Sequence, residues 1–317
     1  MSDRSDPAAG ARECSALGAA QHEFEAHPNR EMHLGALAID RALPIRERRL
    51  VGPWCFLDRF GPMTFSDGQP MDVAPHPHIG LQTVTWLHEG EIVHDDSLGY
   101  ESVLRPGGVN VMTSGAGIAH AEQTPRDNTG RLNGVQLWTA LPDAHRQMAP
   151  GFAHLAEVPA IESPAGIARV FAGELGGARS SAPYYSPLLG ADIAVHAGHE
   201  LDLPLDRAFE HAVLLLSGDC SLNGQPLESR TLYYLGLTRA EICFKSRGGA
   251  RILLIGGPPF PETILMWWNF VARTPDEIRQ ARADWEQQIR FGDVKAYKGP
   301  RLTAPPLTRF SAPNPVS

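Results

Sequence analysis

Two short polar segments of this 317-residue chain carry residue types that bind transition metals. His76 and His78 are separated by one residue, and His120 and Glu122 repeat that spacing further along the chain. Side chains two positions apart on a β-strand point to the same face of the strand. If the two strands face each other across a barrel, three imidazoles and one carboxylate converge on one point. We therefore predict a first-row transition-metal site that leaves positions open for outside ligands.

The competing interpretation treats these four residues as ordinary polar side chains on strand surfaces. One H-x-H pair alone is a weak indication of metal binding, but two equally spaced pairs among Gly- and Pro-rich turns strengthen it. Pro77 lies between two of the histidines and lacks a backbone N–H, so its strand is predicted at a sheet edge or at the rim of a barrel. The sequence leaves two roles open for Glu122, either as a metal ligand or as a general base once substrate binds.

The remaining candidates are assigned mainly to the scaffold. His88 ends a predicted strand beside a turn, and we interpret it as a solvated turn residue. The run His94-Asp95-Asp96 is interpreted as a surface cluster, with a role beside the metal ligands or in lining the pocket as the alternative. Four large side chains either line a pocket for an aromatic ligand or pack in the core: Phe60, Trp86, Met112 and Trp138.

Composition and charge argue against several classes of protein. The net charge is −8, from 28 basic and 36 acidic residues, and no basic stripe stands out, so direct nucleic-acid binding is not expected. The first residues contain no apolar signal region, and the longest apolar runs are too short to cross a membrane. The four cysteines form no zinc-binding pattern. Cys220 and Cys243 are predicted to be buried thiols, which fits a reducing cytoplasm.

Short strands separated by turns predict an all-β scaffold. The chain contains 31 Gly and 27 Pro, and its strand-like runs alternate with turn signals in the manner of a sandwich or closed barrel. The run 212–218 aligns with 84–90, which indicates two copies of one barrel. The predicted strands of the first half span 34–39, 45–51, 54–60, 83–88, 91–94, 109–113, 118–123 and 133–141. Those of the second half span 167–172, 191–197, 212–216, 231–235, 240–244 and 251–255.

The same patterns predict how the chain is divided. We expect a flexible arm (1–28), a first barrel with the metal site (29–142), a connection (143–165), a second barrel without metal (166–260), and a closing helix with a Pro-rich tail (261–317). The helix begins at a capping box formed by Thr274 and Glu277, with Pro275 at its first position. Its apolar face is predicted to carry Ile278, Ala281, Trp285 and Ile289.

Long motifs of the first half closely resemble the pirin family. They are the run from Pro75 to Gly90, His94-Asp-Asp-Ser-Leu-Gly99, Arg105-Pro-Gly-Gly108, the run from Met112 to Glu122, and Gly134-Val-Gln-Leu-Trp-Thr-Ala-Leu-Pro142. The resemblance implies an all-β bicupin, in which two jelly-roll barrels face each other and a short C-terminal helix packs back on the first barrel. It also implies one metal held by His76, His78, His120 and Glu122. Iron(II) is the first expectation, and manganese, copper, nickel, cobalt or zinc are the alternatives.

The resemblance implies two kinds of function. Some members of the family are quercetin 2,3-dioxygenases, which would give this chain a flavonol-like aromatic substrate and O2. Glu122 would then be the catalytic base, and the heterocycle would open with release of carbon monoxide. Other members act as regulators, which would make the chain a non-enzymatic, iron-binding redox sensor acting through a protein partner. A vestigial site is the third hypothesis, and the intact set of four residues argues against it.

A few positions depart from the expected patterns. Gln82 and Thr83 stand near the position where the general cupin motif has a glutamate, and Glu122 supplies the carboxylate instead, as in pirins. Val109-Asn110 and Thr139-Ala140 differ from the usual pirin motifs, which affects the predicted substrate more than the metal. The second barrel has Pro204-Leu-Asp206 and Thr238-Arg-Ala-Glu241 at the metal-motif positions. No histidine pair stands there, so no second metal is predicted.

Overall fold

β-Strands form nearly all of the regular structure in the computed structural model, which describes residues 24–34, 37–65 and 71–307. The strands are β1 (Glu25–Pro28), β2 (Arg30–Leu34), β3 (Leu37–Leu43), β4 (Trp54–Thr64), β5 (Asp72–His78), β6 (Leu81–Glu89), β7 (Ile92–Asp96), β8 (Glu101–Leu104), β9 (Val109–Thr113), β10 (Ile118–Gln123), β11 (Arg131–Ala140), β12 (Gly151–Leu155), β13 (Ala160–Ser163), β14 (Gly166–Leu175), β15 (Ala178–Arg179), β16 (Leu189–Val195), β17 (Glu200–Pro204), β18 (Glu210–Gly218), β19 (Ser221–Leu222), β20 (Gln225–Pro226), β21 (Thr231–Gly236), β22 (Glu241–Lys245), β23 (Ala250–Gly257), β24 (Leu265–Trp267) and β25 (Phe270–Ala272). The single helix of the described residues is α1 (Pro275–Glu286). The described residues include no helix that is long and apolar enough to cross a membrane.

Two barrels, each built from a large and a small antiparallel sheet, account for most of these strands. The first barrel combines a seven-stranded sheet (β12-β9-β6-β11-β4-β3-β2) with a four-stranded sheet (β5-β10-β7-β8). The second combines an eight-stranded sheet (β1-β21-β18-β23-β16-β14-β13, with β15 on β14) with a four-stranded sheet (β17-β22-β19-β20). The predicted all-β bicupin with a short C-terminal helix is therefore confirmed.

The two large sheets pack against each other and form the core between the barrels. Val84 and Leu137 of the first barrel share one buried cluster with Leu214 and Ile255 of the second. Because strand side chains alternate between faces, the residues next to Val84 and Leu137 along their strands point into the interior of the first barrel. The strands that hold the barrels together thus also present side chains to the interior of the first barrel, where the candidate site lies.

The ends of the chain are exchanged between the barrels. β1 pairs with β21 in the large sheet of the second barrel, although it precedes the first barrel in sequence. The β24–β25 hairpin, α1 and the segment that follows pack on the outer side of β5 and β10, where they bury Ile79, Ala119 and Ala121. The segment before the first barrel therefore extends the sheet of the second, and the segment after the second barrel buries the outer side of β5 and β10.

Several local predictions need correction. Residues 45–51 form an irregular segment with one isolated bridge at Val51, because their charged side chains lack the alternation of a strand. Within the predicted arm, residues 1–23 lie outside the described part and residues 25–28 form β1. The predicted connection contains β12, which joins the first barrel, and β13, which joins the second. The exact domain boundaries remain predictions.

The C-terminal helix begins as its sequence predicts. The Thr274 side chain accepts a hydrogen bond from the Glu277 backbone N–H, and the Glu277 side chain reaches back to the cap, which completes a capping box. Ile278, Ala281 and Trp285 are buried along one face. Ile289 lies beyond the C-cap residue Gln287 and is 51% exposed, so its predicted place on the helix face is wrong.

Candidate metal centre

Three of the predicted ligands meet on one small sheet of the first barrel. His76 and His78 lie on β5 and His120 lies on β10, with ring nitrogens within 4.8 Å of one another. In the register, His120 stands opposite His76. The two strands are therefore neighbours in one sheet, so the convergence of these residues does not require the strands to face each other across the barrel. β5 is an edge strand of its sheet, as Pro77 predicts.

Backbone carbonyls fix the tautomers of two of these imidazoles. His76 Nδ1 is 2.9 Å from the Ala74 carbonyl oxygen, and His78 Nδ1 is 3.1 Å from the carbonyl oxygen of Asn269, in the turn between β24 and β25. A carbonyl oxygen only accepts hydrogen bonds, so each Nδ1 carries the proton and donates it. The Nε2 atom of each ring is then unprotonated and able to bind a metal.

The third imidazole is oriented by a buried histidine and aspartate. His120 Nδ1 is 3.4 Å from His94 Nδ1, and His94 Nε2 is 3.3 Å from the Asp96 carboxylate. Since the carboxylate accepts a proton from Nε2, His94 Nδ1 carries a lone pair and His120 Nδ1 donates to it. Asp96 is fixed in turn by the backbone N–H groups of Leu98 and Tyr100, at 2.9 and 3.0 Å.

These hydrogen bonds leave a set of nitrogen lone pairs that fits a metal ion. His78 Nε2 and His120 Nε2 are 3.1 Å apart, and with both protons on Nδ1 two lone pairs face each other. Burial lowers the pKa of His76 to about 4, and burial with neighbouring imidazoles holds the pKa values of His78 and His120 well below the usual 6.5. Neutral imidazoles in this arrangement are a donor set for a first-row transition metal.

Glu122 lies at the edge of this cluster. A bulge interrupts the β5–β10 pairing between His120 and Glu122, and the carboxylate groups with His94 and His120 rather than with the β5 histidines. Gln136 Nε2 donates to both carboxylate oxygens at 3.1 Å, and Thr85 Oγ1 lies 3.3 Å from one of them. Burial raises the pKa of Glu122, against the opposing effects of His94, Gln136 and Thr85. A buried carboxylate held beside the imidazoles is compatible with both predicted roles of Glu122, as a metal ligand and as a general base.

Two histidine interpretations are corrected by burial. His94 is 2% exposed, so it belongs to the site and not to a surface cluster. The H-x-D spacing of His94 and Asp96, identical to that of the H-x-H pair, was the available signal. The side chain of His88 is 3% exposed and lies 3.5 Å from Asp192 of the second barrel. His88 lies near the end of β6, where this strand contacts the second barrel, and the contact shields its side chain from water.

The four large side chains separate into two groups. Trp138 lies inside the first barrel, with its ring centroid 5.2 Å from that of His78. Met112 is paired in register with Phe152, whose ring stacks on His94. Trp86 belongs to the core between the barrels, and Phe60 belongs to a separate cluster of the first barrel. Trp138 and Met112 are therefore the candidates beside the imidazoles, and Trp86 and Phe60 are core residues.

A two-barrel cupin with a buried three-imidazole cluster in its N-terminal barrel defines a class of metal-site proteins. Comparison with known families agrees with the architecture. A family model described as Pirin matches residues 36–139, and a model described as the Pirin C-terminal cupin domain matches residues 190–292. The chain belongs to the pirin family.

Several relatives cover most of the chain. A Pseudomonas aeruginosa protein named "Putative quercetin 2,3-dioxygenase" is 45% identical over 274 residues, which is 86% of this chain and 87% of the relative. A "Pirin-like protein" from Caulobacter vibrioides is 39% identical and covers 81% of this chain and 91% of its own length. A crystal structure of quercetin 2,3-dioxygenase from Acinetobacter baumannii superposes with a TM-score of 0.88 at 41% identity, over 92% of this chain and 97% of that one.

Proposed function

We propose that this protein is a metal-dependent dioxygenase that cleaves quercetin or a related flavonol with O2 and releases carbon monoxide. The observation that carries the proposal is the cluster of three imidazoles whose Nδ1 atoms are engaged, next to a buried carboxylate. The name of the P. aeruginosa relative and the A. baumannii structure support the same chemistry.

The proposed metal ligands are His76, His78, His120 and Glu122. Imidazole and carboxylate groups suit iron(II), which we propose as the metal, and they also suit manganese, copper, nickel, cobalt or zinc. Such a metal supplies Lewis acidity and, in the case of iron, the redox activity that O2 chemistry requires. Its protein-side requirements are unprotonated nitrogens and a shielded site, which the burial of these residues favours.

Glu122 is the proposed base of the reaction. Its carboxylate takes the proton of the flavonol ring hydroxyl, and the raised pKa suits a group that must accept and later return a proton. Gln136 Nε2 holds the carboxylate in place while it does so, and Thr85 fixes Gln136 by donating to its Oε1. In the overall reaction both atoms of O2 enter the opened product, one ring carbon leaves as carbon monoxide, and the proton returns to the product.

A regulator remains the second candidate, because apolar side chains are exposed close to the site. Leu98 and Tyr100, two and four residues after Asp96, are 46% and 49% exposed, and Val103 on β8 is 37% exposed. Apolar surface of this kind is typical of contacts with other proteins. In this alternative the metal site would influence a partner through the β7–β8 hairpin, with no turnover.

We place either function in the cytoplasm. The described cysteines, Cys55, Cys220 and Cys243, are all free thiols, which is the usual state in a reducing compartment. Cys220 is buried as expected, whereas Cys243 is only half-buried.

The decisive experiment is anaerobic reconstitution with iron(II), followed by quercetin and O2. Loss of flavonol absorbance, released carbon monoxide and bound metal are measured on one sample. We expect turnover in the native protein, and none in Glu122→Gln, while His199→Ala, which changes an exposed histidine of the second barrel, retains it. Stoichiometric iron with no carbon monoxide would contradict the enzyme and favour the regulator.

A further inference from the structure

A row of polar side chains crosses the inner face of the large sheet in the first barrel. The β-sheet register places Asp58, Gln136, Thr85 and Asn110 side by side on β4, β11, β6 and β9. We call these four residues the polar strip. Its central members touch the candidate site directly, since Gln136 donates to Glu122 and Thr85 lies 3.3 Å from the same carboxylate. The strip therefore faces the imidazole cluster.

The members of the polar strip are held in place by hydrogen bonds. Thr85 Oγ1 donates to Gln136 Oε1 at 2.6 Å, and Arg41 binds both carboxylate oxygens of Asp58 at 2.7 Å. At the other end, His154 Nδ1 is 2.7 Å from Asn110 Oδ1, and His154 is exposed. The strip thus runs from the buried interior to the surface, with its donors and acceptors in fixed positions.

A second row, mostly of aromatic and apolar side chains, runs beside the strip, two residues along each strand. Phe56, Trp138 and Met112 stand in this row, Thr83 of β6 lies between Trp138 and Met112, and Phe152 ends the row. The rings of Phe56 and Trp138 stack at 3.9 Å, and Trp138 contacts His78. Within the described residues, the buried indole N–H of Trp138 has no hydrogen-bond partner, although buried donors are normally satisfied.

The second barrel shows that the fold does not require such a polar row. The interior cluster of its large sheet is apolar, with Val213 and Leu215 on β18 and Ile252 and Leu254 on β23. Burying polar groups costs free energy unless they are hydrogen-bonded, so a barrel gains no stability from replacing apolar side chains with them. The polar strip is therefore better explained by a ligand than by packing.

Resting on the proposed function, we infer that the polar strip binds the hydroxyl groups of a planar polyhydroxylated aromatic ligand whose rings lie along Trp138 and Phe56. Neighbouring strands are about 4.8 Å apart, which is also about the separation of two hydroxyl oxygens placed meta on one ring. The strip therefore selects among flavonols by the hydroxyl pattern remote from the reacting ring carbon. Asn110, which does not contact Glu122 in these hydrogen bonds, is its specificity-determining member.

The test is anaerobic binding, measured by tryptophan fluorescence on the purified protein with its metal content determined. Quercetin is compared with 3-hydroxyflavone, which keeps the ring hydroxyl of the reaction and lacks the others. We expect Asn110→Leu and Asn110→Ala each to weaken quercetin binding about fivefold, the usual effect of one lost hydrogen bond, and to change 3-hydroxyflavone binding less than twofold. Thr231→Val, which changes a buried threonine on β21 of the second barrel, is the matched control and should leave both affinities unchanged.

The outcomes separate this inference from the proposed function. Equal losses for both ligands, no preference of the native protein for quercetin, or no binding of either flavonol would overturn the inference. Hydroxyl-selective binding that the strip variants abolish, without carbon monoxide release in the presence of iron(II) and O2, would retain the strip and overturn the dioxygenase. Turnover without hydroxyl selectivity would retain the dioxygenase and overturn the role of the polar strip.

Discussion

His94 and Asp96 determine which nitrogen of His120 is free to bind a metal. Asp96 is held by two backbone N–H groups, His94 is held by Asp96, and His120 is held by His94. Phe152 stacks on His94 at 4.3 Å and keeps its ring from turning. Orienting contacts of this kind commonly change metal affinity without touching the metal.

We therefore expect His94→Phe and Asp96→Asn to weaken metal binding about 10- to 100-fold, because His120 loses its fixed tautomer. Competition titration with a chelator measures the affinity. Asp95→Asn makes the same chemical change one residue away on β7, where the side chain points to the other face, and should have little effect. Unchanged metal affinity in both variants would exclude the positioning role. If the native chain bound two metal ions and His94→Phe bound one, His94 would instead be a metal ligand.

Removing a proposed ligand should have a larger effect. His78→Ala or His120→Ala is expected to lose most of the bound metal, because two imidazoles hold it far less tightly than three. Metal content after purification, measured against His199→Ala, provides the comparison. Near-stoichiometric metal in either ligand variant would mean that the ligand set is wrong.

The sequence identifies the site residues better than their arrangement. The identical spacing of the two pairs is a local pattern, and it correctly brings His76, His78 and His120 together. Whether β5 and β10 are neighbours or opposite each other depends on pairing between distant segments, which no local pattern encodes. The sequence alone assigns His94-Asp95-Asp96 to the surface, and only the fold shows that the run is buried.

At the scale of secondary-structure elements, the C-terminal hairpin and helix support the metal ligands. Asn269, in the turn of the hairpin, accepts the hydrogen bond from His78, and α1 packs beside the hairpin over β5 and β10. Trp285 of α1 is buried, and its indole N–H donates to the Leu302 carbonyl at 2.8 Å. The stability of this segment and the orientation of His78 are therefore connected.

Thr274→Ala should lower the free energy of unfolding by about 1 kcal/mol, because it removes the side-chain acceptor at the start of α1. Thr274→Ser keeps an acceptor oxygen and should be close to the native protein. Denaturant unfolding of the three proteins measures the difference. Equal destabilisation by alanine and serine would show that the methyl group, and not the cap, contributes the stability.

The helix was predictable because its capping box and apolar spacing lie within a few residues of one another. The β1–β21 pairing was not, since it joins residues about two hundred positions apart and β1 alone resembles a polar arm. Residues 45–51 show that a local pattern can also mislead. The run begins and ends with apolar residues, which predicts a strand, but the charged residues between them leave it irregular.

At the scale of the whole molecule, polar residues lie buried between and beside the barrels. Glu210 of the second barrel accepts a hydrogen bond from the Gly52 backbone N–H of the first and from Tyr234. Its neighbour His211 is fully buried, and neither of its ring nitrogens has a partner within the described residues. Burial lowers the pKa of His211 to about 4.

This shift predicts an acid-dependent loss of stability. The folded chain resists protonation of His211 and the unfolded chain does not, so stability is complete above about pH 6.5 and falls as the pH drops towards 4, by at most about 1.4 kcal/mol per pH unit. His211→Gln should flatten the curve relative to the native protein, whereas His196→Gln, at an exposed position of the same barrel, should not. Unfolding midpoints at several pH values test this, and parallel curves for native and His211→Gln would contradict it.

The exchange of terminal segments between the barrels also sets the order in which the protein can be completed during synthesis. The histidines of the site emerge from the ribosome well before the Asn269 carbonyl that orients His78 and the segment that covers β5 and β10. β1 likewise waits for β21 before it can pair. A nascent chain that has just finished its first barrel therefore carries the proposed metal ligands but lacks the carbonyl that orients His78. We therefore expect the three imidazoles to reach their final orientation only after the segment that contains Asn269 has folded onto β5 and β10.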